Sequence, residues 1–142
     1  MFVLDTNVVV EIRKASSGKA DRNVVAWTKA TPAKSLYISA ISILELELGI
    51  LQLEREDRSQ SELLRTWLET KVMTAFEDRI LSVDTNVARQ CAALHVPDPR
   101  SERDALIAAT AMVHGMSVAT RNESDFKPTG VSILNPWNLN AA

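Results

Sequence analysis

Short apolar runs alternate with longer segments of helical period along this chain. Phe2–Leu4, Leu36–Ile38, Ile80–Val83, Ser117–Ala119 and Val131–Ile133 are brief and apolar, the pattern of strands covered on both faces. Between them the spacing predicts helices over about Val8–Lys14, Arg22–Ala30, Ile41–Glu54, Ser59–Phe76, Thr85–His95 and Glu102–His114. Strands alternating with helices imply an α/β fold, a three-layer α/β/α sandwich around a short central parallel sheet. No repeat, low-complexity stretch or long linker divides the chain, so a single domain over residues 1–142 is expected.

Two segments are more apolar than one buried face requires. In "SAISILELELGI" (39–50) and the residues just after it, Ile41, Leu44, Leu48 and Leu51 mark one helical face and Ile43, Leu46, Ile50 and Leu53 another. A helix apolar on most sides is expected to be buried. "LLRTWLETKVMTAF" (63–76) sets Leu64, Trp67, Leu68 and Val72 roughly on one face. Core packing explains that face, and a dimer or partner groove is the alternative.

Composition narrows the picture by exclusion. No apolar run approaches the ~18 residues that span a bilayer, and the N-terminus lacks the pattern of a signal peptide, so a cytoplasmic protein is expected. Cys91 is the single cysteine, which excludes an intrachain disulfide and leaves no zinc-cluster spacing. His95 and His114 sit near helix ends without ligand spacing and read as structural or exposed. The formal net charge of −2 argues against a protein that grips nucleic acid by bulk positive charge. The charge is unevenly spread, however. Residues 1–34 carry six bases (Arg13, Lys14, Lys19, Arg22, Lys29, Lys34) against three acids (Asp5, Glu11, Asp21).

The candidate chemistry lies in acids that a core does not want. Asp5 directly follows the first strand, and Thr120, Arg121 and Asn122 directly follow the strand at Ser117–Ala119. Ligands in such folds bind just beyond the carboxyl ends of the strands, so these two strand ends are expected to face one crevice. Glu45 lies inside the apolar helix, where Ser42 and Glu45 have the spacing of a capping box. Asp104 shares the inward face of its helix with Ile107, Ala108 and Ala111, and Ser101 and Asp104 have a similar capping spacing. Asn122 and Asp125 have the spacing of a capped turn. Each acid alone is open to the capping explanation. Three inward carboxylates on separate elements repel one another and must share protons or bind a cation. Oxygen ligands without Cys or His favour Mg²⁺ or Mn²⁺ over Zn²⁺.

At these residues the sequence resembles the PIN-domain ribonucleases, of the kind found as toxins in VapBC and FitAB-type toxin–antitoxin pairs. The resemblance is carried by "LDTN" (4–7), "SAISILELELG" (39–49), "RDALIAATAMVHG" (103–115), "VATRN" (118–122), "DF" (125–126) and "LNPW" (134–137), in order and nearly end to end. It implies a PIN-like fold and a metal-dependent endoribonuclease that hydrolyses RNA phosphodiester bonds with metal-activated water. It places the catalytic, metal-binding acids on Asp5, Glu45 and Asp104, with Mg²⁺ as cofactor and Mn²⁺ as the alternative. The family's fourth acidic position falls on Asn122, a departure that removes one negative charge; Asp125 is the nearby acid that can compensate. Thr6, Asn7, Ser39 and Thr120 match polar positions that hold ligands in place, and Arg121 is positioned to touch phosphate or to form a surface salt bridge. The resemblance further implies a homodimer and a small cognate antitoxin that blocks the acidic site and carries the DNA-binding part, since this chain has no DNA-reading motif of its own.

Rival readings are weaker on the residues themselves. A phosphohydrolase with an aspartyl nucleophile would also place Asp after the first strand. Its usual second Asp is Asn7 here, and no Lys partner stands out. A PIN-like module that binds RNA or a partner without cutting is the non-enzymatic alternative, favoured by Asn122. Four glycines, at 18, 49, 115 and 130, supply no phosphate-binding loop after a strand.

Overall fold

The structure, a computed structural model, describes residues 1–139; the last three residues of the expected 1–142 domain lie outside that range. The sheet comprises β1 (Phe2–Leu4), β2 (Leu36–Ser39), β3 (Ile80–Leu81), β4 (Ser117–Ala119) and β5 (Ile133–Leu134). Every pairing is parallel and the order is β3-β2-β1-β4-β5. In the central strand Leu4 is in register with Ile38 on one side and Ala119 on the other. The chain winds from β1 out to β3, then crosses to the other side of β1 to form β4. The winding therefore reverses between β1 and β4, where such sheets open a crevice at their carboxyl ends.

Strand alternation sends successive residues to opposite layers. Val3 and Val118 pack with Val87, Cys91, Ala105, Ile107, Ala108 and Phe126. These come from α6 (Thr85–Leu94), α7 (Glu102–Val113) and α8 (Glu123–Phe126). Leu4, Ile38 and Ala119 pack with Val8, Val9, Leu46, Ile50, Leu68 and Val72 on the other face. That layer holds α1 (Thr6–Arg13), with α2 (Arg22–Ala30) against it, α3 (Ala40–Glu54) and α4 (Arg58–Trp67). The α/β/α sandwich with a central parallel sheet is thus the observed architecture. Alanines at 105, 108, 109 and 111 are fully buried on α7, and their small side chains let that helix sit close to the sheet.

Several boundaries differ from expectation. α1 begins at Thr6 rather than Val8, because Asp5 is its N-cap and no loop separates strand from helix. α3 begins at Ala40, capped by Ser39, whose hydroxyl accepts from the Ile41 N–H (3.0 Å). Ser42 is therefore inside the helix, and the expected Ser42–Glu45 capping box does not form. α3 is also less buried than its composition suggests. Ile41, Leu46 and Ile50 are in the core, while Leu44, Leu48 and Leu51 remain exposed at 48%, 37% and 50%. Sheet and neighbouring helices cover only the first set. The helix expected over Ser59–Phe76 changes pitch: α4 runs into a π-helical turn (Leu68–Val72) and then α5 (Met73–Ala75). Leu68 and Val72 are buried across that turn, so this face does pack in the core. β3 stops at Leu81 and β5 starts at Ile133, each limited to the residues that reach a paired neighbour.

Candidate active site

Asp5 lies at the reversal point between β1 and β4, only 6% exposed. Its backbone N–H donates to the Ala119 carbonyl (2.9 Å), which ties the two strand ends together. Its Oδ1 accepts from the Thr6 N–H (2.8 Å), and its Oδ2 accepts from the Thr120 hydroxyl (2.8 Å) and the Asn7 amide (3.2 Å). Thr120 is itself held, accepting from the Asn122 N–H at 3.0 Å. Asp5 is thus both a helix cap and the floor of the crevice. Burial pushes its pKa up from 3.8 to about 6; the bonds from Thr120 and Thr6 pull it down, and the charges of Asp104 and Glu45 add to the rise.

Glu45 reaches the crevice from the second turn of α3. Its Oε1 is 2.7 Å from the Thr6 hydroxyl, which also lies 3.0 Å from the Ser42 hydroxyl. A carboxylate only accepts, so Thr6 spends its one hydrogen on Glu45. Arg103 Nη1 approaches Glu45 Oε2 at 3.7 Å. Asp104 enters on the first turn of α7, half-buried. Burial raises its pKa, and so do the charges of Asp125 and then Glu45; the Ser101 hydroxyl and Arg103 oppose them. Ser101 occupies the N-cap position of α7 but its side chain does not cap.

The remaining expected residues divide by what they touch. Thr6, Asn7 and Thr120 are bonded to the acids. Ser39 is fully buried and serves as the cap of α3. Asn122 is exposed at the N-cap position of α8, where its side chain makes no cap bond. Asp125 is exposed on α8, and its charge is the largest neighbouring one acting on Asp104. Arg121 donates its backbone N–H to Asn7 Oδ1 (3.4 Å) and lays its guanidinium over the Trp137 ring, 5.3 Å from the centroid. The surface salt bridge weighed for Arg121 is absent among the described residues.

Sequence reasoning gave no role to Arg103 or Trp137, and to Ser42 only that of a helix cap. Arg103 stands beside Asp104 in the quoted "RDAL", but adjacency alone does not say that it reaches Glu45 across to α3. Nor did it join Cys91, His95 and Glu102, whose donor atoms lie within 4.8 Å of one another. His95 Nδ1 accepts the Arg100 N–H at 3.0 Å, so the neutral ring carries its proton on Nε2, the atom that faces Cys91 and Glu102. That tautomer suits a hydrogen bond to Glu102 and opposes a metal there. The carboxylate oxygens of Asp5, Glu45 and Asp104 do not all lie within 4.8 Å of one another. Mg²⁺ keeps several waters and takes one or two carboxylates directly, so this spacing and this all-oxygen donor set fit such an ion.

An open groove lies elsewhere, between α1 and the α4–α5 segment, with a volume of about 840 Å³. Val9, Ile12, Trp67 and Phe76 give it an apolar floor, and Arg13, Lys14, Lys19, Lys71 and Arg79 line it with no acid among them.

Residues 2–130 match the PIN domain family. The chain is 39% identical over 142 residues to VapC ribonuclease Y4jK of Sinorhizobium fredii, covering 96% of this chain and 98% of that protein. It is 34% identical over 144 residues to Toxin FitB of Neisseria gonorrhoeae, covering 97% and 99%. The crystal structure of FitAcB from Neisseria gonorrhoeae superposes with a TM-score of 0.87 at 33% identity, covering 98% of this chain and all of that one. The chain belongs to the PIN-domain family.

Proposed function

We propose that this chain is a metal-dependent endoribonuclease and the toxin of a toxin–antitoxin pair, with residues 1–142 acting as one domain in the cytoplasm. One observation carries the reading. Carboxylates from the end of β1, from α3 and from α7 converge on one crevice, and Arg103 is the one cation paired with them among the described residues. The names and likeness of the relatives support the class of activity.

Asp5, Glu45 and Asp104 would hold Mg²⁺ or Mn²⁺. When bound, such a cation acidifies a water and offsets charge on the phosphodiester oxygens. Thr120, Asn7 and the Thr6 N–H hold Asp5, and the Thr6 hydroxyl holds Glu45, so both carboxylates are aimed before substrate arrives. Asp125 adds negative charge beside Asp104, which offsets the neutral Asn122 at the family's fourth acidic position.

The partners follow from surfaces away from the acids. The apolar, cation-lined groove suits an acidic, apolar segment of the antitoxin. The exposed face of Leu44, Leu48 and Leu51 suits a second copy of the chain. The test is cleavage of a mixed RNA pool by the purified chain with Mn²⁺, with Mg²⁺ and with EDTA. Cutting that needs the metal and disappears in Asp104→Ala supports the reading. Equal cutting in EDTA, or by the variant, contradicts it.

A further inference from the structure

Beside the acid crevice, Arg121 lies over Trp137 and forms a ledge that metal binding does not require. Trp137 follows β5 and is half-buried. Its backbone N–H donates to Asn135 Oδ1 (3.0 Å), and its backbone carbonyl accepts from the Asn23 side-chain amide on α2 (2.7 Å). Asn135 in turn donates to Glu123 on α8 (3.0 Å). The backbone that carries the indole is thereby tied to α2 and, through Asn135, to α8, and the ring packs against the core layer of Leu4 and Ile38. Over it lies the Arg121 guanidinium, 5.3 Å from the ring centroid.

Arg121 is exposed, and no carboxylate pairs with it among the described residues. Its backbone is nevertheless anchored. Its N–H reaches Asn7 Oδ1 (3.4 Å), and the Asn7 amide reaches Asp5 (3.2 Å), so the ledge stands two hydrogen bonds from Asp5. One side of the guanidinium rests against the aromatic ring, and the other is open. Unpaired nucleobases stack on guanidinium planes and aromatic rings of this kind.

We propose that the Arg121–Trp137 ledge stacks one base of the RNA next to the cleaved bond and favours a purine there, whose larger face covers more of the guanidinium. The inference rests on the ribonuclease reading above and adds to it the element that selects a nucleotide. The phosphate contact first considered for Arg121 is the competing role, and it would be indifferent to the base.

The test uses short oligoribonucleotides spanning a cleaved step mapped with the parent protein on a mixed RNA pool. An abasic residue replaces each flanking nucleotide in turn. The parent should lose about tenfold in kcat/KM at one flanking position and little at the others, the effect of removing one stacked base. Arg121→Ala and Trp137→Leu should erase that position-specific loss, while Trp137→Phe, which keeps a ring, should retain it. Should Trp137→Leu fail to fold, Arg121→Ala still decides, because its side chain is exposed. An abasic loss that persists unchanged in Arg121→Ala, with activity lowered equally on all oligonucleotides, assigns Arg121 to phosphate and overturns the ledge. A parent that cuts no RNA in any metal overturns the ribonuclease reading itself, which separates the two failures.

Discussion

At neutral pH the carboxyl of Asp5 is ionised against the preference of its surroundings. Its pKa in the fold is about 6 against an ordinary 3.8, because burial outweighs the three donors that reach it. A carboxyl raised on folding adds stability in full below the unfolded value, and that contribution is lost as pH rises through the folded value. The window here runs from about 4 to about 6, and the difference amounts to about 3 kcal/mol. In EDTA the parent should therefore melt lower at pH 7.5 than at pH 5. Asp5→Asn should flatten that slope and melt several degrees higher than the parent at pH 7.5. Asn caps helices as well as Asp does, so α1 keeps its start. Added Mn²⁺ should raise the melting temperature of the parent and leave the variant unmoved. A parent whose stability does not fall between pH 5 and 7.5 would show that Asp5 is not held against its charge.

The strands β1 and β2 each lead without a loop into the next helix, and this places the site. Asp5 caps α1 and Ser39 caps α3, so Glu45 is delivered a fixed distance along a helix whose origin is set by the sheet. Ser39→Ala removes the acceptor from the Ile41 N–H in a fully buried position. It should cost about 1 kcal/mol, read as a lower urea midpoint with unchanged slope. No change in midpoint would mean that α3 is held by packing alone. Much of this arrangement was legible beforehand. Apolar runs of three or four residues ending in Asp5 and Ala119 marked the strand ends, and strand alternation with helices marked the layers. The capping positions were not, because the Ser42–Glu45 spacing pointed to Ser42 and the strand was expected to end at Ile38, whereas β2 runs to Ser39 and α3 starts at Ala40. Exposure of Leu44, Leu48 and Leu51 was not legible either, since a helix apolar all round does not say which side its neighbours leave open.

Charge is partitioned over the whole molecule. Acids gather where β1 and β4 separate, while bases from the first third of the chain meet Lys71 and Arg79 around the apolar groove. Sequence separation hid the groove, as it hid the Arg121–Trp137 stack, whereas Asp125 beside the acids was foreseen from its place just after Asn122. A partner that is acidic and apolar would be drawn to the groove and away from the acids. Lys14→Glu combined with Lys71→Glu should weaken the affinity of a co-expressed antitoxin about tenfold, more at low salt than at high, and leave RNA cleavage by the isolated chain unchanged. Unaltered affinity would move the antitoxin to another surface.

These observations converge on the claim that the acids at the strand ends do the chemistry, and Asp5 tests it most directly. The measurement is cleavage of a mixed RNA pool in Mn²⁺ by the parent and by Asp5→Asn, each shown to be folded. Cutting by the parent and none by the folded variant is the predicted result. Equal cutting by both would contradict it.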